Sequence, residues 1–256
     1  MSAEAPIALE YRMLGGFSLT RDGVPVTPDA WQRPMAARVV RFLLVHRQRV
    51  QEDVLLEAFW RDSDPAAARR SLAVSLSRCR AVLRPGAIVA SERAYRLVVE
   101  NDDRVDVEAF EEAAALALEL PAGPARTGAL ERAAALWSGE PLPEDRYADW
   151  ARQWRDALTD RHREVLVALA DARAAAGEHG AALRVARRML DADPLDEGAH
   201  RRVMAGYAAL GRRSRALEQY LRCRRVLVDA VGIEPARETT ALHARILAGD
   251  EAVLAA

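Results

Sequence analysis

Residues 62–84 read DSDPAAARRSLAVSLSRCRAVLR, and this stretch decides the fold of the first part of the chain. Aspartate is a favoured N-cap residue and proline is favoured at the first helical position. Asp64 and Pro65 therefore predict the start of a helix over Ala66–Leu83. Four residues on it recur at spacings of 4, 3 and 4, namely Leu72, Leu76, Cys79 and Leu83. This spacing predicts one buried apolar stripe.

The opposite face of this helix carries small and cationic residues. At about 100° per residue it holds Arg70, Val74, Ser77, Arg78 and Ala81. A helix with an apolar back and a small, cationic front suits the major groove of DNA. The alternative is an ordinary solvated helix, because all 37 basic residues of this chain are arginines and exposed arginine alone proves little.

The charges are segregated along the chain. Residues 66–84 contain five arginines and no acid. Residues 30–85 contain 11 arginines and 5 acids, whereas residues 86–160 contain 8 arginines and 16 acids. Such segregation is typical of an anion-binding module joined to a second module that does not bind anions. The net charge of −1 excludes a uniformly basic, histone-like protein.

Length and composition bound the class of protein. A chain of 256 residues, half of them apolar, is long enough for one or two domains with buried cores. Cys79 and Cys223 lack metal or redox spacing, which favours two buried thiols in a reducing compartment. No run approaches about 18 apolar residues, and Met1–Glu10 lacks the pattern of a signal peptide. We therefore expect a cytoplasmic protein without a membrane span.

The first hundred residues predict strands, three helices and a hairpin. Short strands are indicated at Ile7–Leu14, Phe17–Thr20 and Val24–Val26, with a tight turn at Asp22-Gly23. Helical periodicity then runs from Gln32 to His46, over Glu52–Trp60 and over Ala66–Leu83. The hairpin is predicted from strands at Ile88–Ala90 and Tyr95–Val99 around a turn at Ser91–Ala94.

The second half predicts alanine-rich helices with an internal repeat. Ala176-Gly177 precedes Ala181-Ala182-Leu183, and Leu210-Gly211 precedes Arg215-Ala216-Leu217, at an offset of 34 residues. This is the period of a tetratricopeptide helix pair, although two unrelated helical hairpins remain the alternative. Such arrays present a groove to other proteins, so we expect an interaction or dimerisation surface here.

No residue pattern indicates catalysis. The chain has no lysine for a phosphate-binding loop, and it contains neither a His-Glu-x-x-His nor a Gly-x-Ser-x-Gly motif. The histidines are isolated: His162 and His179 are interpreted as solvated, and His200 as a surface or capping residue. Glu140, Glu144 and Asp145 flank prolines in a predicted solvent-exposed loop, where cation binding is the alternative. We therefore expect no enzyme activity, no metal and no cofactor.

Several short landmarks follow this order of elements. In the first half they are Met13-Leu14-Gly15, Leu55-Leu56-Glu57-Ala58-Phe59-Trp60, Pro65, Ala68-Arg69, Leu72, Ser77-Arg78, Arg80 and Tyr95-Arg96-Leu97. In the second half they are Val105-Asp106-Val107-Glu108-Ala109-Phe110, Leu136-Trp137-Ser138-Gly139 and Gly232-Ile233-Glu234-Pro235. In this order and spacing, across residues 7–248, the chain resembles the Streptomyces antibiotic regulatory protein family.

The resemblance implies an α+β N-terminal winged helix-turn-helix of the OmpR type over residues 7–100. An all-α, tetratricopeptide-like bacterial transcriptional activation domain would follow over residues 104–248. The implied function is a sequence-specific transcriptional activator in the control of secondary metabolism, such as antibiotic biosynthesis. The implied partners are double-stranded promoter DNA, bound at direct repeats by head-to-tail protomers of a homodimer, and the RNA polymerase holoenzyme.

The chain departs from the family pattern at a few positions. Ala73 and Ser75 stand where polar residues are common, and Cys79 stands where leucine is common. The hairpin turns through Glu92-Arg93-Ala94 rather than Pro-Gly, so Arg93 is placed to reach a phosphate or the minor groove. These departures bear on which bases are contacted rather than on the fold.

The predicted DNA contacts fall into three groups. Arg70 and Arg78 are predicted to lie closest to base edges, with Ser77 nearby. Contacts with DNA backbone phosphates are predicted for Arg33, Arg69, Arg80 and Arg84. The hairpin adds Arg93 and Tyr95, although a core position of the Tyr95 ring is the alternative. By analogy with winged-helix activators, polymerase contacts are predicted for Arg61, Asp62, Ser63 and Asp64; a plain connector with a helix cap is the alternative.

Two other functions stay open from the sequence. The first domain is alternatively a degenerate winged helix that serves protein contacts only, which makes the chain an interaction scaffold. The second alternative is a ligand-gated regulator that binds a small molecule or peptide in the repeat groove.

Overall fold

The structure is a computed structural model that describes residues 7–250. Of the stretch Met1–Glu10, on which the expectation about a signal peptide rests, the first six residues lie outside this range. The chain divides into two compact units. The first takes the residues up to Phe110 together with Trp137–Thr159, and the second takes Glu111–Leu136 together with the residues from Asp160 onward.

The described range contains short strands and longer helices. The strands are β1 Leu9–Arg12, β2 Ser18–Arg21, β3 Val24–Pro25, β4 Val50–Gln51, β5 Ile88–Ser91, β6 Ala94–Leu97 and β7 Arg104–Val105. The helices are α1 Pro34–His46, α2 Glu52–Trp60, α3 Pro65–Val82, α4 Asp106–Glu119, α5 Pro124–Leu136, α6 Asp149–Ala175, α7 His179–Ala192, α8 Glu197–Ala209, α9 Arg213–Val231 and α10 Arg237–Ala248. Short 3-10 turns occupy Pro28–Trp31 and Pro143–Asp145.

The first sheet has the strand order β3-β2-β1-β7. Its first three strands are antiparallel, and β7 runs parallel to β1. The predicted hairpin is confirmed, because Arg21 pairs with Val24, and Asp22 and Gly23 have φ angles of 49° and 77°. Positive φ at both central residues matches the twist of a two-residue hairpin. The sequence did not predict β7, whose two residues are too few to show an alternating pattern.

Helices α1, α2 and α3 lie where the sequence predicts them. Helix α1 begins two residues later than predicted, and α3 is shifted by one residue towards the N-terminus. The predicted apolar stripe of α3 is buried along its whole length. The Cys79 thiol donates to the carbonyl oxygen of Ala36 at 3.2 Å and so joins α3 to α1. Burial raises the pKa of Cys79 to about 12, which keeps the thiol protonated at neutral pH.

A second sheet, of order β4-β6-β5, follows α3. Strands β5 and β6 form the predicted hairpin, with Ser91 paired to Ala94. Val50 and Gln51 of β4 pair with Tyr95 and Ala94, so the hairpin is also joined to the residues before α2. This β5–β6 hairpin, which we call the wing, packs against both α1 and α3.

Residues 138–145 also belong to the first unit. The Leu142 amide donates to the carbonyl oxygen of Met13 at 2.8 Å, and the Gly15 amide donates to that of Glu140 at 2.9 Å. Gly15 and Gly139 meet so closely that a Cβ on Gly139 would lie 2.8 Å from the Gly15 Cα. A larger side chain at Gly139 would therefore push this segment off the end of β1.

The prediction of a solvent-exposed loop here is wrong for Asp145. Its side chain is 0% exposed and accepts hydrogen bonds at 2.6 Å from the Nε atoms of both Arg38 and Arg41 on α1. Glu144 and Glu140 remain exposed, and Glu144 accepts from the Phe17 amide at 2.7 Å. No group of three potential metal ligands occurs among the residues that the structure describes.

The second unit contains the predicted helical repeat. Gly177 and Gly211 end α6 and α8 with positive φ angles of 74° and 70°. In both places the glycine amide donates to the carbonyl three residues earlier at 2.9 Å, and the next amide donates to the carbonyl five residues earlier at 2.9 and 2.8 Å. This pair of bonds is the Schellman motif. The predicted 34-residue spacing of the two helix ends is confirmed.

Two histidine interpretations are wrong because the side chains are buried inside the helical unit. His200 lies between the carbonyl oxygen of Pro194, at 3.0 Å from its Nε2, and the Gln219 amide, at 2.6 Å from its Nδ1. Burial lowers the pKa of His200. Burial, with a contribution from Arg188, lowers the pKa of His162 to about 4. Both rings are therefore neutral core residues at pH 7.

Candidate nucleic-acid interface

Helix α3 presents a continuous exposed face with no acid on it. Asp64 caps the helix by accepting a hydrogen bond from the Ala67 amide at 2.9 Å, as the sequence predicts. The exposed residues along this face are Arg70, Ala73, Val74, Ser77, Arg78 and Ala81. Within the described range, neither Arg70 nor Arg78 takes part in an ion pair, so both guanidinium groups are available to an anionic partner.

Ser75 does not belong to this face. Its side chain is buried, and its hydroxyl donates to the carbonyl oxygen of Ser71 at 2.9 Å within the helix. The departure from the family pattern at this position therefore concerns the back of α3. Ala73 is exposed, and its small side chain leaves room beside Arg70 and Val74 for an approaching surface.

Glu52 joins α3 to the wing. It accepts from the Arg69 Nε at 3.2 Å and from the Tyr95 hydroxyl at 3.3 Å. Burial raises the pKa of Tyr95, and the charge of Glu52 adds to the effect. The Tyr95 ring is half-buried, and only its hydroxyl end reaches this polar cluster. The sequence analysis did not identify Glu52, whose place in the first turn of α2 is also explained by the helix dipole.

The remaining predicted phosphate contacts differ in exposure. Arg33 is exposed and immediately precedes α1, and Arg80 is exposed while its Nε donates to the Ile88 carbonyl at 3.4 Å. Arg69 keeps about half of its side chain exposed beside Glu52. These three arginines can reach a phosphate from the edges of α3 and α1.

The prediction that Arg84 contacts a phosphate is wrong. The Arg84 side chain is 4% exposed and makes two hydrogen bonds of 2.7 Å to the carboxylate of Asp103. Burial alone would raise the pKa of Asp103, but the hydrogen bonds from Arg84 and from backbone amides hold it below its usual value. Arg84 is therefore an interior ion-pair residue that fastens the end of α3 to the strand before α4.

The wing turns through two non-glycine residues in the left-handed region. Glu92 and Arg93 have φ angles of 52° and 58°, and both side chains are exposed. This conformation costs a residue with a Cβ about 1–2 kcal/mol. The turn therefore presents the Arg93 guanidinium at the tip of the hairpin at a cost in stability.

Replacing Glu92 with glycine is expected to stabilise the first unit by about 1 kcal/mol, because glycine adopts positive φ without a steric cost. Urea unfolding of the full chain measures the change. Ala90→Gly, in the adjacent strand, is the matched control and is expected to lose about 0.5–1 kcal/mol. Equal losses in both variants would show that the turn is not strained.

The loop between α2 and α3 is exposed throughout, from Arg61 to Asp64. Arg61 pairs with Glu57 at 2.6 Å, and Asp64 is engaged as the helix cap. Asp62 and Ser63 keep their side chains open to solvent. The loop is thus a surface with two free polar side chains and two that already have an intramolecular partner.

Comparisons with known proteins identify relatives of this chain. A family model for the bacterial transcriptional activator domain matches residues 105–247. The regulatory protein AfsR of Streptomyces coelicolor is 27% identical across 96% of this chain and 25% of its own length. The chain belongs to the Streptomyces antibiotic regulatory protein family. The first-half sequence landmarks Leu55–Trp60, Pro65–Arg80 and Tyr95–Leu97 lie on α2, α3 and β6.

Two further members of this group of regulators align over nearly the whole chain. The transcriptional regulatory protein MoaR1 of Mycobacterium tuberculosis is 27% identical across 96% of this chain and 82% of its own length. The solved structure of Mycobacterium tuberculosis EmbR in complex with a low affinity phosphopeptide superposes with a TM-score of 0.80. The two sequences are 25% identical, and the superposition covers 97% of the present chain and 69% of the EmbR chain. In the present chain, none of the helices that the structure describes has the length and apolar character to cross a bilayer.

Proposed function

We propose that this chain is a sequence-specific, DNA-binding transcriptional activator with no catalytic activity. Residues 7–100 form the winged helix-turn-helix that binds DNA, and residues 104–248 form the tetratricopeptide-like activation domain. The regulators with which the chain aligns support a role in transcription. The acid-free, exposed face of α3 is the observation that carries DNA binding.

The α3 face has the size and chemistry of a major-groove reader. The groove is about 12 Å wide and admits one helix, and arginine is the commonest specific partner of guanine. Arg70 and Arg78 are two turns apart on the exposed side, with Ser77 beside them. The small side chains of Ala73 and Ala81 let the helix backbone approach the base edges.

The surrounding cations are placed to hold the phosphate backbone. Arg33, Arg69, Arg80 and Arg93 are exposed around α3 and at the wing tip, and Tyr95 contributes at most its hydroxyl end. Phosphate contacts of this kind fix orientation and carry no sequence information themselves. We expect Arg93 to enter the minor groove or to contact the adjacent phosphate.

The activation step is proposed by analogy with the family. Two protomers bind a promoter direct repeat head to tail in the cytoplasm and recruit the RNA polymerase holoenzyme, with Arg61, Asp62, Ser63 and Asp64 as the candidate contact. Control of secondary metabolism follows from the resemblance to regulators such as AfsR. No cofactor is required by this scheme.

Footprinting on promoters from the chain's own genomic neighbourhood tests the proposal. We expect two protected direct repeats and an affinity that falls steeply with salt, with a log–log slope of about −0.9 per phosphate contacted. Equal affinity for promoter and unrelated DNA at all salt concentrations would contradict sequence-specific binding. No binding to any duplex would instead favour the interaction-scaffold alternative.

A further inference from the structure

The first unit carries an open aromatic groove on the side of α1 and α2. The groove has a volume of about 850 Å³ and is lined by α1, α2, the α2–α3 loop and residues 147–150. The rings of Phe42, Phe59 and Trp150 form its apolar base, with centroid separations of 5.2–6.1 Å. Tyr147 is 91% exposed at its rim. Exposed aromatic side chains around a concave surface are typical of protein interfaces.

The aromatic groove has an acidic rim. Its two arginines are already paired, Arg38 with Asp145 and Arg61 with Glu57, both at 2.6 Å. Asp149 is paired with Arg152, so two unpaired aspartates, Asp53 and Asp62, set the sign of the surface. An acidic, aromatic surface repels the DNA backbone and favours an apolar partner with positive charge.

Helix α9 of the second unit has the complementary character. Leu221 and Val228 are 58% and 41% exposed, on the side of α9 opposite the buried Cys223 and Leu227. Arg225 lies between them on the same stripe, with Arg222 beside it. We call Leu221, Arg222, Arg225 and Val228 the α9 ridge.

The α9 ridge is cationic after its local ion pairs are counted. Arg224 pairs with Glu234 and Arg215 pairs with Glu218. Within the described range, Arg222 and Arg225 form no ion pair, and Asp229 is the nearby acid on the exposed side. The unpaired charges therefore sum to about +1 on the ridge, against about −2 on the groove rim.

We propose that the aromatic groove of one copy of this chain binds the α9 ridge of a second copy. This proposal rests on the proposed function, namely the binding of two copies to adjacent direct repeats. A contact between two different surfaces repeats with one polarity along an array, whereas a two-fold dimer needs inverted sites. A groove-to-ridge contact therefore matches head-to-tail protomers, each of which offers its own groove or ridge to the next.

The contact is weak in free solution and strengthened on DNA. Only a few apolar side chains and a few charges meet, so the area is that of a transient interface. Two adjacent operator sites hold the copies at a high effective concentration and make the second binding event cooperative. The charge complementarity makes this cooperativity decline as salt is raised.

Affinity for one operator site and for two adjacent sites is measured by mobility shift with the full chain, and their ratio gives the cooperativity. Tyr147→Ala and Leu221→Ala each remove an exposed anchor and are expected to lower the cooperativity about tenfold while leaving single-site affinity unchanged. Val24→Ala, at an exposed apolar residue of β3 outside the groove, is the control and is expected to leave both values unchanged.

Charge reversal tests the pairing itself. Asp53→Arg with Asp149→Arg, and separately Arg222→Asp with Arg225→Asp, are each expected to abolish cooperativity. The chain carrying all four substitutions is expected to regain it. That regain cannot come from stability, because the combined variant contains every destabilising change of the two parents. Unchanged cooperativity in the single-surface variants, or no regain in the combined one, would overturn the proposal.

Two outcomes separate this proposal from the proposed function. If the Tyr147→Ala variant activates transcription poorly while its cooperativity is normal, the groove binds another protein and the self-contact is wrong. If the chain binds no DNA, sedimentation at rising protein concentration replaces the shift assay. The groove-to-ridge contact then predicts self-association that is lost in both charge-reversed variants and restored in the combined one; constant sedimentation overturns it.

Discussion

The Asp145→Ala variant is expected to lose about 3–5 kcal/mol of the free energy of unfolding of the first unit. Asp145 is completely buried and is the carboxylate that compensates Arg41, whose side chain is itself buried, as well as the more exposed Arg38. Removing one partner of a buried ion pair leaves an uncompensated charge in a low-dielectric interior. Urea unfolding of the full chain measures the loss as a lower midpoint.

The controls for this variant separate the ion pair from its surroundings. Asp149→Ala removes an exposed carboxylate four residues along and is expected to change stability by less than about 0.5 kcal/mol. Combining Asp145→Ala with Arg41→Met removes both buried charges and is expected to recover part of the loss. A loss below about 1 kcal/mol in Asp145→Ala would show that water reaches the two arginines.

The elements that the sequence predicted well are determined by residues that lie close together in the sequence. The cap at Asp64, the stripe from Leu72 to Leu83 and the Asp22-Gly23 turn each depend on residues within one or two turns. Helical period, capping chemistry and positive φ are local constraints, so they can be recognised in a single sequence. The same holds for the glycines that end α6 and α8.

The errors concern partners that lie far away in the sequence. The sequence groups Arg84 with the phosphate contacts, because an arginine at a helix end shows the same local pattern whether it binds a phosphate or a buried carboxylate. Its burial depends on Asp103, 19 residues later. Asp145 depends on Arg41, 104 residues earlier. Periodicity shows which face of an element is apolar, and it does not show which distant segment will cover a charge.

These distant contacts also bear on what a DNA-binding fragment requires. A fragment ending at residue 100 would lack Asp103, the partner of the buried Arg84. It would also lack Asp106, which accepts hydrogen bonds from the amides of Met13 and Leu14 at 2.9–3.0 Å. The residues that hold the candidate interface in place therefore extend at least to Asp106, beyond the predicted domain end at residue 100.

Replacing both Arg70 and Arg78 with alanine is expected to reduce specific DNA affinity by about 2–6 kcal/mol. Each bidentate arginine–guanine pair contributes about 1–3 kcal/mol of discrimination. Both side chains are exposed without an ion pair in the described structure, and alanine is the better helix former. The fold should therefore be retained, and unfolding midpoints are expected to stay at the value of the parent chain.

The matched control is Arg104→Ala, because it removes one exposed arginine of the same unit away from α3. It is expected to change specific affinity little. Arg93→Ala is expected to weaken binding to all sequences alike and to reduce the salt slope by about 1, as loss of a phosphate contact does. The Arg70 and Arg78 variants should instead relax the preference at individual base pairs.

Mobility shifts against promoter DNA and against unrelated duplex, at several salt concentrations, distinguish these roles. If Arg70→Ala and Arg78→Ala weakened binding to both duplexes equally, the two side chains would be phosphate contacts and the base-reading face would lie elsewhere on α3. If they left both affinities unchanged, α3 would not enter the groove at all. The exposed face of α3 carries arginines and no acid, and a buried apolar stripe holds it in place. We therefore expect these variants to lose specificity with little loss of nonspecific affinity.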